Sequence, residues 1–171
     1  MNCTIVEIPS DQTDVYKKFL SVGLTADADS FRLSVNDDMH APFPTKDRAD
    51  SFTLGAYCDN KLAGVVSFAR DGYDREKLRH KGLLFRMYVA EEYRGKGIGN
   101  KLIEDLLKRV SNLADIEQIN LTVVNNNDRA KALYEKFGFR TFSTEFNAIK
   151  WNGKYFTEDT MVLMFNPFPM I

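Results

Sequence analysis

Arg94-Gly95-Lys96-Gly97-Ile98-Gly99-Asn100 stands between an apolar run, Leu83-Leu84-Phe85-Arg86-Met87-Tyr88-Val89, and a helical pattern over residues 97–110. A strand therefore feeds a glycine-rich turn that opens a helix. The first turn of a helix carries backbone N–H groups with no internal partner, and the helix dipole adds partial positive charge there. Glycine allows positive φ and close approach of the backbone to a ligand. Together these features make a site for phosphate. The spacing of Gly95, Gly97 and Gly99 matches neither the dinucleotide fingerprint nor the P-loop, which closes on Lys-Ser or Lys-Thr. Taken alone, the same glycines also suit a tight strand–helix turn with no ligand.

Downstream of this turn, Leu102, Ile103, Leu106, Leu107 and Val110 form one stripe, with Lys101, Glu104, Asp105 and Lys108 opposite. That is an amphipathic helix. Residues 118–124 read as a strand. Asn125-Asn126-Asn127-Asp128 then supplies helix caps, and Ala130, Leu133, Tyr134 and Phe137 form a second stripe that Gly138 closes. Residues 139–165 read as a hairpin turning at Asn152-Gly153. The tail Asn166-Pro167-Phe168-Pro169-Met170-Ile171 is not expected to continue a central strand, because proline lacks the N–H.

Upstream, residues 4–8 alternate as a strand, and a helix follows Ser10 and Asp11 up to Gly23. Residues 25–50, with Pro42 and Pro44, read as a long loop holding at most a short helix. Residues 51–58 and 62–70 are two strands of a hairpin joined by Asp59-Asn60-Lys61. Residues 71–81 form a charged connection. The strand at 83–89 is so apolar that both its faces are expected to be covered. Strands first, then strand–helix–strand–helix–hairpin, give an α/β (α+β) mixed sheet.

The chain has 171 residues, which suits a single domain over 1–171 with a core of its own. A net charge of −1 gives no footprint for nucleic acid or a membrane surface. Cys3 and Cys58 make no metal or redox spacing and read as buried small apolar residues in a reducing compartment. The first residues lack the basic and apolar regions of a signal peptide, and no apolar run is long enough to span a bilayer. A cytoplasmic protein is expected.

The glycine turn and the later run Asn127-Asp128-Arg129-Ala130-Lys131-Ala132-Leu133-Tyr134-Glu135-Lys136-Phe137-Gly138-Phe139 together resemble the Gcn5-related N-acetyltransferase (GNAT) superfamily. Its pattern Arg/Gln-x-x-Gly-x-Gly/Ala is met by Arg94, Gly97 and Gly99. Its pattern Asn-x-x-Ala-x-x-Leu-Tyr-x-x-x-Gly-Phe is met by Asn127, Ala130, Leu133, Tyr134, Gly138 and Phe139. The resemblance is strong from Leu83 onward; before that it rests on the order of elements.

The resemblance implies acetyl-CoA as co-substrate and no metal. Gly95, Gly97, Ile98, Gly99 and Asn100 would cradle the pyrophosphate through backbone N–H groups. Arg94 and Lys96 would add charge, although solvated surface charge is the usual fate of such side chains. Main-chain groups of Met87, Tyr88 and Val89 would pair with the pantetheine arm as an added strand does, and one N–H would polarise the thioester. Asn127 would lie near that arm, and it equally suits a helix N-cap. Tyr134 would protonate the departing thiolate, a phenol of pKa ~10 serving a thiol of about 8.5; its place on an apolar stripe also suits a core residue.

The general base is where the sequence departs from the family. Many members use a glutamate on the fourth strand, but residues 83–90 hold no carboxylate and Arg86 takes an inner position. His80, Glu145 and Glu76 are candidates, with His40 in the long loop. His80 is favoured for a pKa near neutrality and for Arg79 and Lys81 beside it, against its reading as a surface-loop histidine. An enzyme with no dedicated base, taking a neutral amine, is the other possibility. The implied reaction is direct attack of an amine on the thioester. Neither cysteine has the setting of a nucleophile. The acceptor is read first as a small-molecule amine, second as a protein N-terminus or lysine. A CoA-binding sensor without turnover is the rival class. Aromatic residues such as Phe43, Phe146, Trp151 and Tyr155 suit an acceptor pocket, sheet packing or a homodimer contact.

Overall fold

The computed structural model describes residues 1–165, so the expectation for the proline-containing tail lies outside the described residues. The elements run β1 (Cys3–Glu7), α1 (Thr13–Ala26), α2 (Val35–His40), β2 (Ser51–Cys58), β3 (Lys61–Arg70), β4 (Lys81–Val89), α3 (Ile98–Val110), β5 (Gln118–Val124), α4 (Asp128–Lys136), β6 (Arg140–Trp151) and β7 (Lys154–Met164). The strands form one seven-stranded mixed sheet in the order β1-β2-β3-β4-β5-β7-β6. The α/β mixed sheet read from the sequence is the one observed.

Local chemistry explains the turns. Asp59 and Asn60 both take positive φ, at 47° and 66°, and Asn152 and Gly153 do the same at 49° and 75°. Such turns match the twist of paired strands, and Asn, Asp and Gly tolerate them best. The expected long loop contains α2, which Ser34 and Asp37 start with a reciprocal capping box.

Strand alternation sends neighbouring side chains to opposite faces. Val66 and Phe68 of β3 pack with Leu102, Ile103 and Leu106 of α3 on one face. Val65 packs with Tyr16, Leu20 and Leu24 of α1 on the other. Two helical layers therefore clamp the sheet. One expectation fails on β4: Leu83 is 37% exposed, and Phe85, Met87 and Val89 are only partly buried. The second half of this strand borders an open cleft rather than a packed neighbour.

The reading of both cysteines as free thiols is corrected. Cys3 and Cys58 are joined by a disulfide. Antiparallel pairing of β1 with β2 sets them directly opposite each other. A separation of 55 residues concealed that register in the sequence. Thiol titration of the unfolded, unreduced chain is expected to return no free thiol. Reduction is expected to lower unfolding stability by about 2–4 kcal/mol, because it frees a long loop in the unfolded chain; two titratable thiols would overturn this.

Candidate active site

The site begins where two strands part. β4 and β5 run parallel and pair only at Lys81–Gln118, Gly82–Ile119 and Leu83–Asn120. Among the described residues, β4 has no ladder partner on that side from Leu84 onward, while β5 stays paired with β7 along its whole length. A cavity of about 810 Å³ fills the gap, with Met87, Val89, Gly97, Asn127 and Tyr134 among its walls.

A bulge sharpens the parting. Between the pairs Val65–Tyr88 and Ser67–Phe85, Val66 alone faces Arg86 and Met87. Arg86 takes a positive φ of 51° there. A bulge re-aims side chains and bends its strand. Arg86 borders the cavity, with Nη1 3.6 Å from Oδ1 of Asp38 on α2, a carboxylate only 4% exposed. The inner cation on β4 is thus balanced by a buried acid from the other layer.

The turn after β4 has the features of an anion cradle. Gly95 and Gly97 take φ of 73° and 78°, and a Cβ on either would meet nothing within 4 Å. Gly97 starts α3 without a side-chain cap, and no acidic residue occupies the first helical turn. The first helical bond within α3 is Lys101 N–H to Gly97 O, so the N–H groups of Ile98, Gly99 and Asn100 precede it. Gly99 answers a different need: a Cβ there would stand 3.0 Å from Leu133 Cδ2 and 3.4 Å from Met87 Cε. It allows α3 and α4 to approach across the cavity.

The cations of the motif are partly engaged elsewhere. Arg94 donates from Nε to the Val89 carbonyl at 3.0 Å and pairs with Asp27. It therefore braces the turn against the end of β4 and the α1 layer. Lys96 donates to the Glu92 carbonyl at 2.8 Å. Arg129 and Lys136 of α4 also border the cavity, and Lys136 reaches Asn100 Oδ1 at 2.8 Å. The sequence reading passed over these two; their surface helical spacing gave no sign of the cleft beside them.

Asn127 caps α4, its side chain accepting the Ala130 N–H at 3.2 Å, and also borders the cavity. Both roles weighed from the sequence are thus open to it. Tyr134 is 6% exposed and packs edge-on to Phe139 at 5.9 Å while bordering the same cavity. Burial pushes its phenol well above the ordinary value. It therefore stays protonated at neutral pH.

His80 is not brought to this site. It precedes the end of β4 where the strands are joined, and its carbonyl accepts the Glu117 N–H at 2.8 Å. Seven residues separate it from Met87, roughly 23 Å along an extended strand. Glu76 is exposed in the connection before β4, and His40 is exposed at the end of α2. Glu145 is exposed on β6 opposite Glu158.

Glu158 itself is the residue the sequence reading missed. It lies on β7 beside Val124, is 3% exposed and borders the cavity. Its neighbour Asp159 serves a separate ion pair, held below the usual carboxylate range by Lys131 at 2.6 Å and by Thr144 at 2.7 Å. The available signal was a pair of adjacent acids inside a strand pattern, Phe156-Thr157-Glu158-Asp159-Thr160-Met161, where alternation turns one of them inward.

A sequence profile described as Acetyltransferase (GNAT) family matches residues 24–139, which span both the glycine turn and the Tyr134 helix. The chain belongs to the GNAT acetyltransferase family. Among relatives, it is 31% identical over 88 residues to the spermine/spermidine N(1)-acetyltransferase of Bacillus subtilis, covering 51% of this chain and 58% of that protein. It is 43% identical over 90 residues to an N-alpha-acetyltransferase of Saccharolobus solfataricus, covering 50% and 54% respectively. The chain thus spans a little over half the length of these curated relatives. Among solved structures, a GNAT-family acetyltransferase from Streptococcus pneumoniae superposes with TM-score 0.78 at 23% identity, covering 96% of this chain and all of that one. A Gcn5-related N-acetyltransferase from Kribbella flavida gives 0.79 at 18%, covering 95% and 97%. At such identities these two GNAT structures speak for the fold.

Proposed function

We propose that the protein is an acetyl-CoA-dependent N-acetyltransferase whose acceptor is a small-molecule primary amine. The observation that carries this reading is the parting of β4 from β5, with an uncapped glycine-rich helix start at one end and Tyr134 in the wall. The pyrophosphate lies on the N–H groups of residues 95–100. The pantetheine arm takes the vacant strand position along Met87, Tyr88 and Val89. The neutral amine attacks the thioester carbon and forms the C–N bond, while a β4 N–H holds the carbonyl oxygen as it gains charge. Collapse breaks the C–S bond, Tyr134 protonates the departing sulfur, and the proton the amine sheds passes through water to the Tyr134 oxygen and restores the phenol. His80 has no part in this scheme. The spermine/spermidine relative supports a small amine as acceptor.

Calorimetry with acetyl-CoA, followed by an amine panel with a free-thiol readout, tests the reading. Saturable binding and thiol release with at least one amine are expected. Absence of binding would overturn it, and binding without turnover on any amine would leave a CoA sensor.

A further inference from the structure

Glu158 and Arg32 form an unequal pair. Arg32 lies between residues 28–30 and α2, in the segment that borders the cavity opposite β7. Its Nε stands 2.9 and 2.7 Å from the two carboxylate oxygens of Glu158. The side chain of Glu158 is 4% exposed, whereas that of Arg32 is 57% exposed. Hydrogen bonding to Glu158 raises the guanidinium pKa further. Among the described residues, no other cation forms an ion pair with Glu158.

The two ends of this pair differ in what they lose on parting. A sealed carboxylate without a counter-charge is costly. A guanidinium already mostly in water regains hydration and side-chain freedom, and exposed ion pairs are worth little. Glu158 therefore needs a cation, but it does not need this one. An incoming ammonium can take the position and send Arg32 into solvent.

We infer that Glu158 is a binding site for a cationic group of the acceptor, and that Arg32 holds the position until the acceptor displaces it. This rests on the acetyltransferase reading above and adds the substrate class: a small amine with a second positive charge. The bound group is the charged one that does not react. A carboxylate stabilises the protonated form of an amine, whereas the attacking nitrogen must be neutral. Glu158 thus fixes one end of a diamine and leaves the other free to reach the thioester.

Two measurements test this. The first follows the Nε–H resonance of Arg32 by NMR, assigned by its loss in Arg32→Lys, while 1,4-diaminobutane is added without acetyl-CoA. A saturable shift is expected in the wild type, which equal ionic strength of potassium chloride does not reproduce. In Glu158→Gln the resonance is expected at its final position from the outset. An unmoved Arg32 signal at high diamine would overturn the inference. The second compares KM for 1,4-diaminobutane and n-butylamine, which share a chain length and differ by one charge. The diamine is expected to have a KM at least tenfold lower in the wild type, and Glu158→Gln to erase that preference while leaving acetyl-CoA affinity unchanged. A preference that survives Glu158→Gln would refute the assignment. Failure of the acetyltransferase reading looks different: Arg32 would still respond to the diamine, with no thiol released from acetyl-CoA.

Discussion

Gly97→Asp is expected to weaken acetyl-CoA binding by about 100-fold or more, equivalent to roughly 2.7 kcal/mol. The new carboxylate would sit at the start of α3, where the backbone has φ of 78° and open space lies ahead of the Cβ. Asp tolerates this left-handed conformation better than most residues. The fold should therefore survive, and with it the melting temperature to within a few degrees. What would be lost is room and charge: a fixed anion would occupy the place proposed here for the diphosphate. Gly97→Ala separates the two effects, because it brings the backbone strain without the charge and should cost about tenfold at most, near 1.4 kcal/mol. Calorimetry on the three proteins decides. Unchanged affinity in Gly97→Asp would place the pyrophosphate elsewhere.

Tyr134→Phe is expected to lower kcat by about 100-fold or more, the usual range for loss of a positioned proton donor. The KM for acetyl-CoA should change far less, since the ring and its packing on Phe139 remain. The raised pKa gives the sign of the pH dependence. With its folded-state value above the ordinary ~10, the phenol holds its proton throughout the neutral and mildly alkaline range. Wild-type kcat should therefore show no alkaline loss traceable to Tyr134 up to about pH 10. Equal rates for Tyr134→Phe and the wild type would return this residue to the hydrophobic core.

Much of this architecture was legible in the residues, for identifiable reasons. The helix over α3 announced itself by a stripe from Ile98 to Val110, and the β2–β3 turn by Asp59 and Asn60, because periodicity and turn chemistry are local. Gly97 was legible as a turn residue, but the packing task of Gly99 was not. That task depends on Leu133, which lies on another helix. Cys3 and Cys58 were misread for the same reason, since only strand register brings them together. His80 looked suitable by chemistry and sequence proximity, yet it stands at the joined end of β4 while the cleft opens at the other. Glu158 went unnoticed because its meaning comes from Arg32, which folding delivers from 126 residues away.

The brief contact between β4 and β5 leaves the sheet with a rim inside the molecule. Exposed rims are where sheets recruit foreign strands and begin to aggregate. Here the rim is recessed in a cavity that residues 30–33, Asp27 and α4 also line, rather than laid along the outer surface. The fold thus turns its adhesive edge inward, toward whatever guest enters the cavity, and not along the outside of the molecule.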